Sequence, residues 1–158
     1  MILTWDEQQE IKPVAINDIE RFEQIMQETE INDISKLLGV SLYQDVLNNP
    51  GNYTELLEGS SFEYCDKTIN HKGLKYVIAY LNYSNYIEES QVFDTYTGLV
   101  RKKREDSESV GQGTINNLKQ KNREIAMYQF SFVDLYMRSA GIKKTQTKKL
   151  KFTSIKTI

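Results

Sequence analysis

The chain has one cysteine, Cys65, and one histidine, His71. A lone thiol forms no intrachain disulfide, and one thiol with one imidazole does not make a structural zinc centre of four such ligands. Stability must therefore come from a core, and a reducing compartment is expected. Long apolar runs are missing too: none approaches the roughly 18 residues that a membrane-spanning helix needs. The first residues, MILTWDEQQE, lack the basic and apolar regions of a signal peptide. An excess of one charge is also absent, the formal net charge being -2, which argues against coating nucleic acid by bulk charge. The expectation is a soluble chain made inside a cell, with no membrane contact and, at 158 residues, one domain with a real core.

Signatures of catalysis are scarce as well. A triad needs a base beside a nucleophile, and the only histidine stands near neither a GxSxG motif nor a reactive cysteine pattern. GQG at 111–113 lacks the Lys-Ser or Lys-Thr of a phosphate loop. Asp45, Glu55, Glu58, Glu63 and Asp66 have no metal-ligand spacing and read as solvated charge. No enzyme activity, cofactor or metal is expected.

What is present is an uneven distribution of charge. Before Lys36 stand Asp6, Glu7, Glu10, Asp18, Glu20, Glu23, Glu28, Glu30 and Asp33, against Lys12 and Arg21. After Gly141 come six lysines and no acid, and Arg101, Lys102, Lys103 and Arg104 form a second basic cluster. Two readings stand: solvated surface with a basic tail, or head-to-tail association of like subunits through complementary patches.

The expected class is mainly α. Asn17 with Glu20 has capping-box spacing and opens a helix over about 18–28. The apolar phase shifts near Thr29, which reads as a break before a short helix ending at Gly39. Ser41 and Gln44 repeat the capping spacing and start a helix that Asn49, Pro50 and Gly51 end. One turn follows at Thr54–Leu57. Residues 60–72 show no clear period, and His71 falls in an expected turn. Residues 91–103 favour a short hairpin, followed by a flexible loop to about 113. Thr114 caps a long helix to Ala140, with a stripe of Ile115, Leu118, Ile125, Phe132, Val133, Tyr136 and Ala140 that Asn122 and Gln129 interrupt. Those amides read as satisfied core groups or as register-fixing ones. The ending LKFTSIKTI suits a basic extended arm.

The stretch GLKYVIAYLNYSNYIEES at 73–90 carries two apolar faces. At roughly 100° per residue, Leu74, Val77, Ile78 and Leu81 share one, while Tyr76, Tyr80, Tyr83 and Ile87 share nearly the opposite one. Only a strip through Lys75, Asn82 and Glu89 reads as wet. Such a helix is central in its domain or shared with a neighbour, and tyrosine suits both because its ring buries while its hydroxyl meets water or a partner. Stacking nucleic-acid bases on these rings is disfavoured, since Lys75 is the only cation on this helix.

The succession LLGVSLYQDVL at 37–47, YTELLEG at 53–59, GLKYVIAYLNYSNY at 73–86 and TGLVRKK at 97–103 resembles head-to-tail connector proteins of tailed bacteriophages, in particular the adaptor or ring proteins of crAss-like phages. The resemblance implies a helical connector domain over 17–141, preceded by an extended segment at 1–16 and followed by a basic arm at 142–158. It implies a ring, typically of twelve copies, bound below the portal protein in the virion. That ring would join capsid to tail, meet the next tail or neck protein, and let packaged DNA pass through its lumen without sequence readout. Synthesis would occur in the bacterial host cytoplasm. The expected subunit or portal contacts are Tyr76, Tyr80, Tyr83, Arg101, Lys102, Lys103, Arg104, Lys149, Leu150, Lys151 and Phe152. Two alternatives remain: a small DNA-binding regulator using the 101–104 cluster, or an adaptor outside virions.

Overall fold

A computed structural model describes residues 1–16, 18–90, 92–95, 98–101 and 111–143, with 92–95 and 98–101 described by backbone alone. The protein is mainly helical, as its sequence implies. The chain enters α1 (Trp5–Ile11), α2 (Ile19–Thr29), a π turn (Glu30–Ile34), α3 (Ser35–Leu38) and α4 (Val40–Asn48). A 3-10 turn (Pro50–Tyr53) leads to α5 (Thr54–Glu58) and the hairpin β1 (Ser60–Tyr64) and β2 (Lys67–His71). The tyrosine-bearing α6 (Gly73–Glu89), the hairpin β3 (Val92–Thr95) and β4 (Gly98–Arg101), and α7 (Gln112–Ser139) follow. Both hairpins are antiparallel and separate, with Ser60 opposite His71 in the first and Val92 opposite Arg101 in the second.

The axis of the fold is α6. Leu74, Val77, Ile78 and Leu81 are wholly buried, and so are Ala79, Asn82 and Ser84 on other sides of the same helix. Each fully buried aliphatic side chain contributes about 1.5–3 kcal/mol of transfer free energy, so the helix is held from several directions at once. Phe22 and Met26 of α2, Leu38, Val46, Leu56 and, from α7, Ala126, Val133 and Met137 complete the core. Ser84, late in α6, bonds the Lys119 carbonyl early in α7, while His71, just before α6, stacks on Tyr136 late in α7. The two longest helices are therefore antiparallel neighbours.

Several expectations are corrected. The segment 1–16 is not extended: α1 forms within it, started by a reciprocal capping box in which Glu7 N–H donates to Thr4 and Thr4 N–H donates to Glu7. Asn17 lies outside the described residues, and it is Asp18 that accepts from Arg21 N–H to cap α2. The phase shift at Thr29 is no break. A π turn carries the chain on without interruption, and its wider winding rotates Ile34 and Leu38 onto the core relative to Phe22 and Met26.

Ser41 and Gln44 form no capping box, because α4 begins at Val40 directly after Gly39, whose φ of 83° makes the corner. Residues 60–71 pair as β1 and β2 around Cys65 and Asp66, both at positive φ. His71 is thus a strand residue, 4% exposed, and not part of a loop. α7 starts before Thr114, at Gln112. Its buried seam is Asn122, Ala126, Phe130, Val133 and Met137, so Leu118, Ile125 and Phe132 fall to one flank of the expected stripe. Asn122 is a satisfied core group, donating to Leu118 O at 2.7 Å. Ile142 still packs on the core, which places the start of any arm after it.

Candidate functional site

The chemistry-bearing residues nearest one another are Ser60 and His71, with Ser60 Oγ 3.0 Å from His71 Nε2. Their geometry does not activate the serine. Gly73 N–H donates to His71 Nδ1 at 3.3 Å, so that nitrogen carries the lone pair and Nε2 carries the hydrogen, which it donates to Ser60 Oγ. Burial holds the imidazole below its ordinary range, with Glu55 pulling the other way. A neutral His71 with Nε2 protonated offers Ser60 no base. The ring is a packing element, stacked on Tyr136 at 4.6 Å and edge-on to Phe62 at 6.0 Å. Tyr136 in turn donates to Glu55 Oε2 at 2.8 Å, and burial followed by this bond pushes its hydroxyl up to about 12.

The acids read as solvated charge, Asp45, Glu55, Glu58, Glu63 and Asp66, are all exposed, and some also make surface contacts: Asp45 accepts from Asn49 and Tyr53, Glu63 from Thr68, and Glu58 pairs with Lys75. Among the described residues no group of three His, Cys, Asp or Glu side chains is placed to hold a metal ion. No described helix is long and apolar enough to cross a membrane.

The strip of α6 expected to be wet is covered. Lys75 pairs with Glu7 of α1 at 2.5 Å as well as with Glu58, and Asn82 is wholly buried against Gln8. On the tyrosine side Tyr76, Tyr80 and Tyr83 are each partly exposed, and Ile87 is buried. Tyr76 and Tyr80 stack with ring centres 4.7 Å apart. Lys72 sits over Tyr76 at 4.5 Å, while Lys12, arriving from the end of α1, sits over Tyr83 at 4.5 Å and Tyr80 at 5.3 Å. Each such cation–ring contact contributes about 0.5–1 kcal/mol where exposed. A hydrogen bond with Tyr76, then burial, raises the Tyr80 hydroxyl above its usual range. The row continues to Tyr86, which packs edge-on against Phe22 at 5.5 Å.

A second row lies alongside. Asn85 of α6 and Arg123 of α7 both reach Asp33, each at 3.2 Å, so one side of the α6–α7 pair looks toward the π turn. At roughly 100° per residue, Tyr76, Tyr80 and Tyr83 point away from the Asn85 side of α6, and Leu118, Ile125 and Phe132 point away from the Arg123 side of α7. Both rows therefore flank the same side of the pair. Leu118 is 43% exposed there, and Tyr128, edge-on to Phe132 at 5.0 Å, is 64% exposed at its border.

Packed against α6, α2 buries Phe22, Ile25 and Met26 and turns Glu20, Gln24, Gln27 and Glu28 outward. Ile19 at its start and Ile31 just beyond it are 45% and 62% exposed.

Of the residues expected at a site, Tyr76, Tyr80 and Tyr83 are brought together. Arg101 ends β4, with its side chain outside the described residues, as are Lys102, Lys103, Arg104, Lys149, Leu150, Lys151 and Phe152. Lys12 and Lys72 were not anticipated. Lys72 stands four residues before Tyr76, a readable spacing had α6 begun earlier, whereas Lys12 arrives through tertiary packing and leaves no local signal. The fold and this face define a mainly helical protein built round one central helix, with an aromatic surface partly exposed along it. Residues 34–145 match the model of a family of unknown function, DUF6712, and the chain belongs to that family. No curated protein matches the chain, and no solved structure does.

Proposed function

We propose that this protein is a structural subunit of a tailed-phage neck, assembling with copies of itself into a ring below the portal. The ring joins capsid to tail and gives packaged DNA a channel. The observation that carries the reading is the pair of unlike surfaces on one subunit: an aromatic face rimmed by Lys12 and Lys72, and an acidic one on α2. A ring of identical subunits needs two different, complementary surfaces on each copy, because its contacts are heterologous. The ordered resemblance to connector proteins supports the same reading, since its segments include the end of α3, α4, α5 and most of α6, which contribute to the core. The subunit works mechanically and performs no reaction. Exposed ion pairs contribute about 0–1 kcal/mol each, so the aromatic and aliphatic contacts hold the ring and the charges select its register.

Mass photometry of the chain mixed with the portal protein of the same genome tests this. A discrete added mass equal to a whole ring of subunits is the expected result. A portal that gains no mass across a range of salt concentrations would remove the connector reading, and binding to duplex DNA would then favour a regulator.

A further inference from the structure

We infer that the face formed by Tyr76, Tyr80, Tyr83, Leu118, Ile125 and Phe132 docks α2 of a second copy of this chain. The inference rests on the like-subunit reading above and adds which two surfaces meet. The face is half apolar and half phenolic, with Lys12 and Lys72 held over its rings and Lys121 exposed beside its α7 border. These cations fit an acidic partner that also brings aliphatic side chains. The α2 surface has that composition: Glu20 and Glu28 are exposed and Glu23 partly so, between Ile19 at 45% exposure and Ile31 at 62%.

Like would repel like if the aromatic face met its own copy, since Lys12 and Lys72 would confront Lys12 and Lys72. A head-to-tail contact brings opposite charges together instead, and rotation between copies then closes a ring or extends a filament. The apolar groups at the centre of each surface supply most of the affinity, and the rim charges set partner and rate.

Charge reversal separates the possibilities. One chain carries Lys12→Glu with Lys72→Glu, and another carries Glu20→Lys with Glu23→Lys. Sedimentation velocity over a concentration series should show each variant associating about tenfold or more weakly than the parent chain, because like charges now face each other. An equimolar mixture should recover association, since the reversed pairs match again, and recovery also certifies that both variants are folded. Weakening of the lysine variant alone would show a face that meets some other surface and would overturn α2 as the partner. No weakening in either variant, with folding confirmed by circular dichroism, would overturn the docking itself. If the parent chain stays monomeric alone, the same series is run on the portal. A ring that forms on the portal and ignores the reversals sinks this inference and leaves the neck reading standing, whereas recovery in the mixture without portal binding does the reverse.

Discussion

Asn82 in α6 donates from Nδ2 to Oε1 of Gln8 in α1 at 3.1 Å, and both side chains are wholly buried. Gln8 Nε2 in turn donates to the carbonyls of Lys12, 2.9 Å away, and Ala79, 3.3 Å away. One glutamine thus fixes where α1 lies on α6 and where the chain leaves α1. Lys12 is that exit residue, so the same network sets the position from which its ammonium reaches Tyr80 and Tyr83.

Asn82→Leu should cost about 1–3 kcal/mol, because it strands Gln8 Oε1 without a donor. Its own Oδ1 has no hydrogen-bond partner among the described residues, so losing that atom carries no penalty. Gln8→Leu should cost more, since it strands the Lys12 carbonyl together with Asn82 Nδ2, while the Ala79 carbonyl keeps its bond within α6. The double variant should fall short of the sum by about 0.5–3 kcal/mol. Urea denaturation of all four proteins gives the coupling. Strict additivity would mean that the amides do not communicate.

Acid should weaken the fold through His71. Burial lowers the pKa of the folded imidazole from its ordinary 6.5, with Glu55 opposing. Below 6.5 the unfolded chain takes up a proton that the folded chain refuses, so this contribution to stability is full above 6.5 and is lost as pH falls toward the folded pKa. Protonation would also place a hydrogen on Nδ1, against Gly73 N–H. An NMR titration of the imidazole should give a midpoint below 6.5. A midpoint above it would show that Glu55 outweighs burial.

Legibility in the sequence followed the range of the interactions involved. Leu74, Val77, Ile78 and Leu81 were readable as a core face because helical period is a local property, and all four are wholly buried. Asn82 reads as wet in the sequence because Gln8, which accepts from its amide nitrogen and helps to bury it, lies 74 residues away. The hairpin Ser60–His71 escaped notice because SSFEY and KTINH alternate little and turn through Cys65 and Asp66 without a glycine. The phase shift at Thr29 was visible, yet a break and a π turn shift phase alike. In α7, Leu118, Ile125 and Phe132 share a seven-residue spacing that suggests a seam, while the buried seam includes Asn122 and Ala126, which carry little apolar signal. At the candidate site the tyrosines were legible and Lys12 was not, for the same reason of range.

Gly73 should resist substitution. Its φ is 81°, and a Cβ there would stand 2.2 Å from Leu57 O, while a Cβ on Gly59, at φ 100°, would stand 2.5 Å from His71 O. The two glycines let the backbone that enters β1 and the backbone that leaves β2 pass in contact. Gly73→Ala therefore meets both an unfavourable conformation, of about 1–3 kcal/mol, and a backbone collision. The expected sum exceeds 2 kcal/mol in thermal or urea unfolding, roughly what the strain alone would supply at its middle value. Gly51→Ala is the control, since nothing lies within 4 Å of the Cβ it would add, and it should change stability by no more than about 0.5 kcal/mol.

Tyr76 and Tyr83 should separate folding from association. Tyr83 packs against the buried core, as Tyr80 and Tyr86 do, and it carries the closer of the Lys12 contacts. Tyr76 touches its stacking partner Tyr80 and the Lys72 ammonium at the surface. Tyr76→Ala should then cost only about 0.5–1.5 kcal/mol, the worth of one aromatic pair. Tyr83→Ala should cost about 1.5–3 kcal/mol, because a ring seated on the core is lost. If the aromatic face is where copies meet, Tyr76→Ala should still impair ring formation on the portal, out of proportion to its small effect on the isolated chain, since aromatic anchors dominate interfaces. Urea unfolding with mass photometry on the same samples reads both quantities. A Tyr76→Ala chain that is stable and assembles like the parent would take the tyrosine row out of the interface, and one that unfolds outright would make Tyr76 a core residue despite its position at the rim.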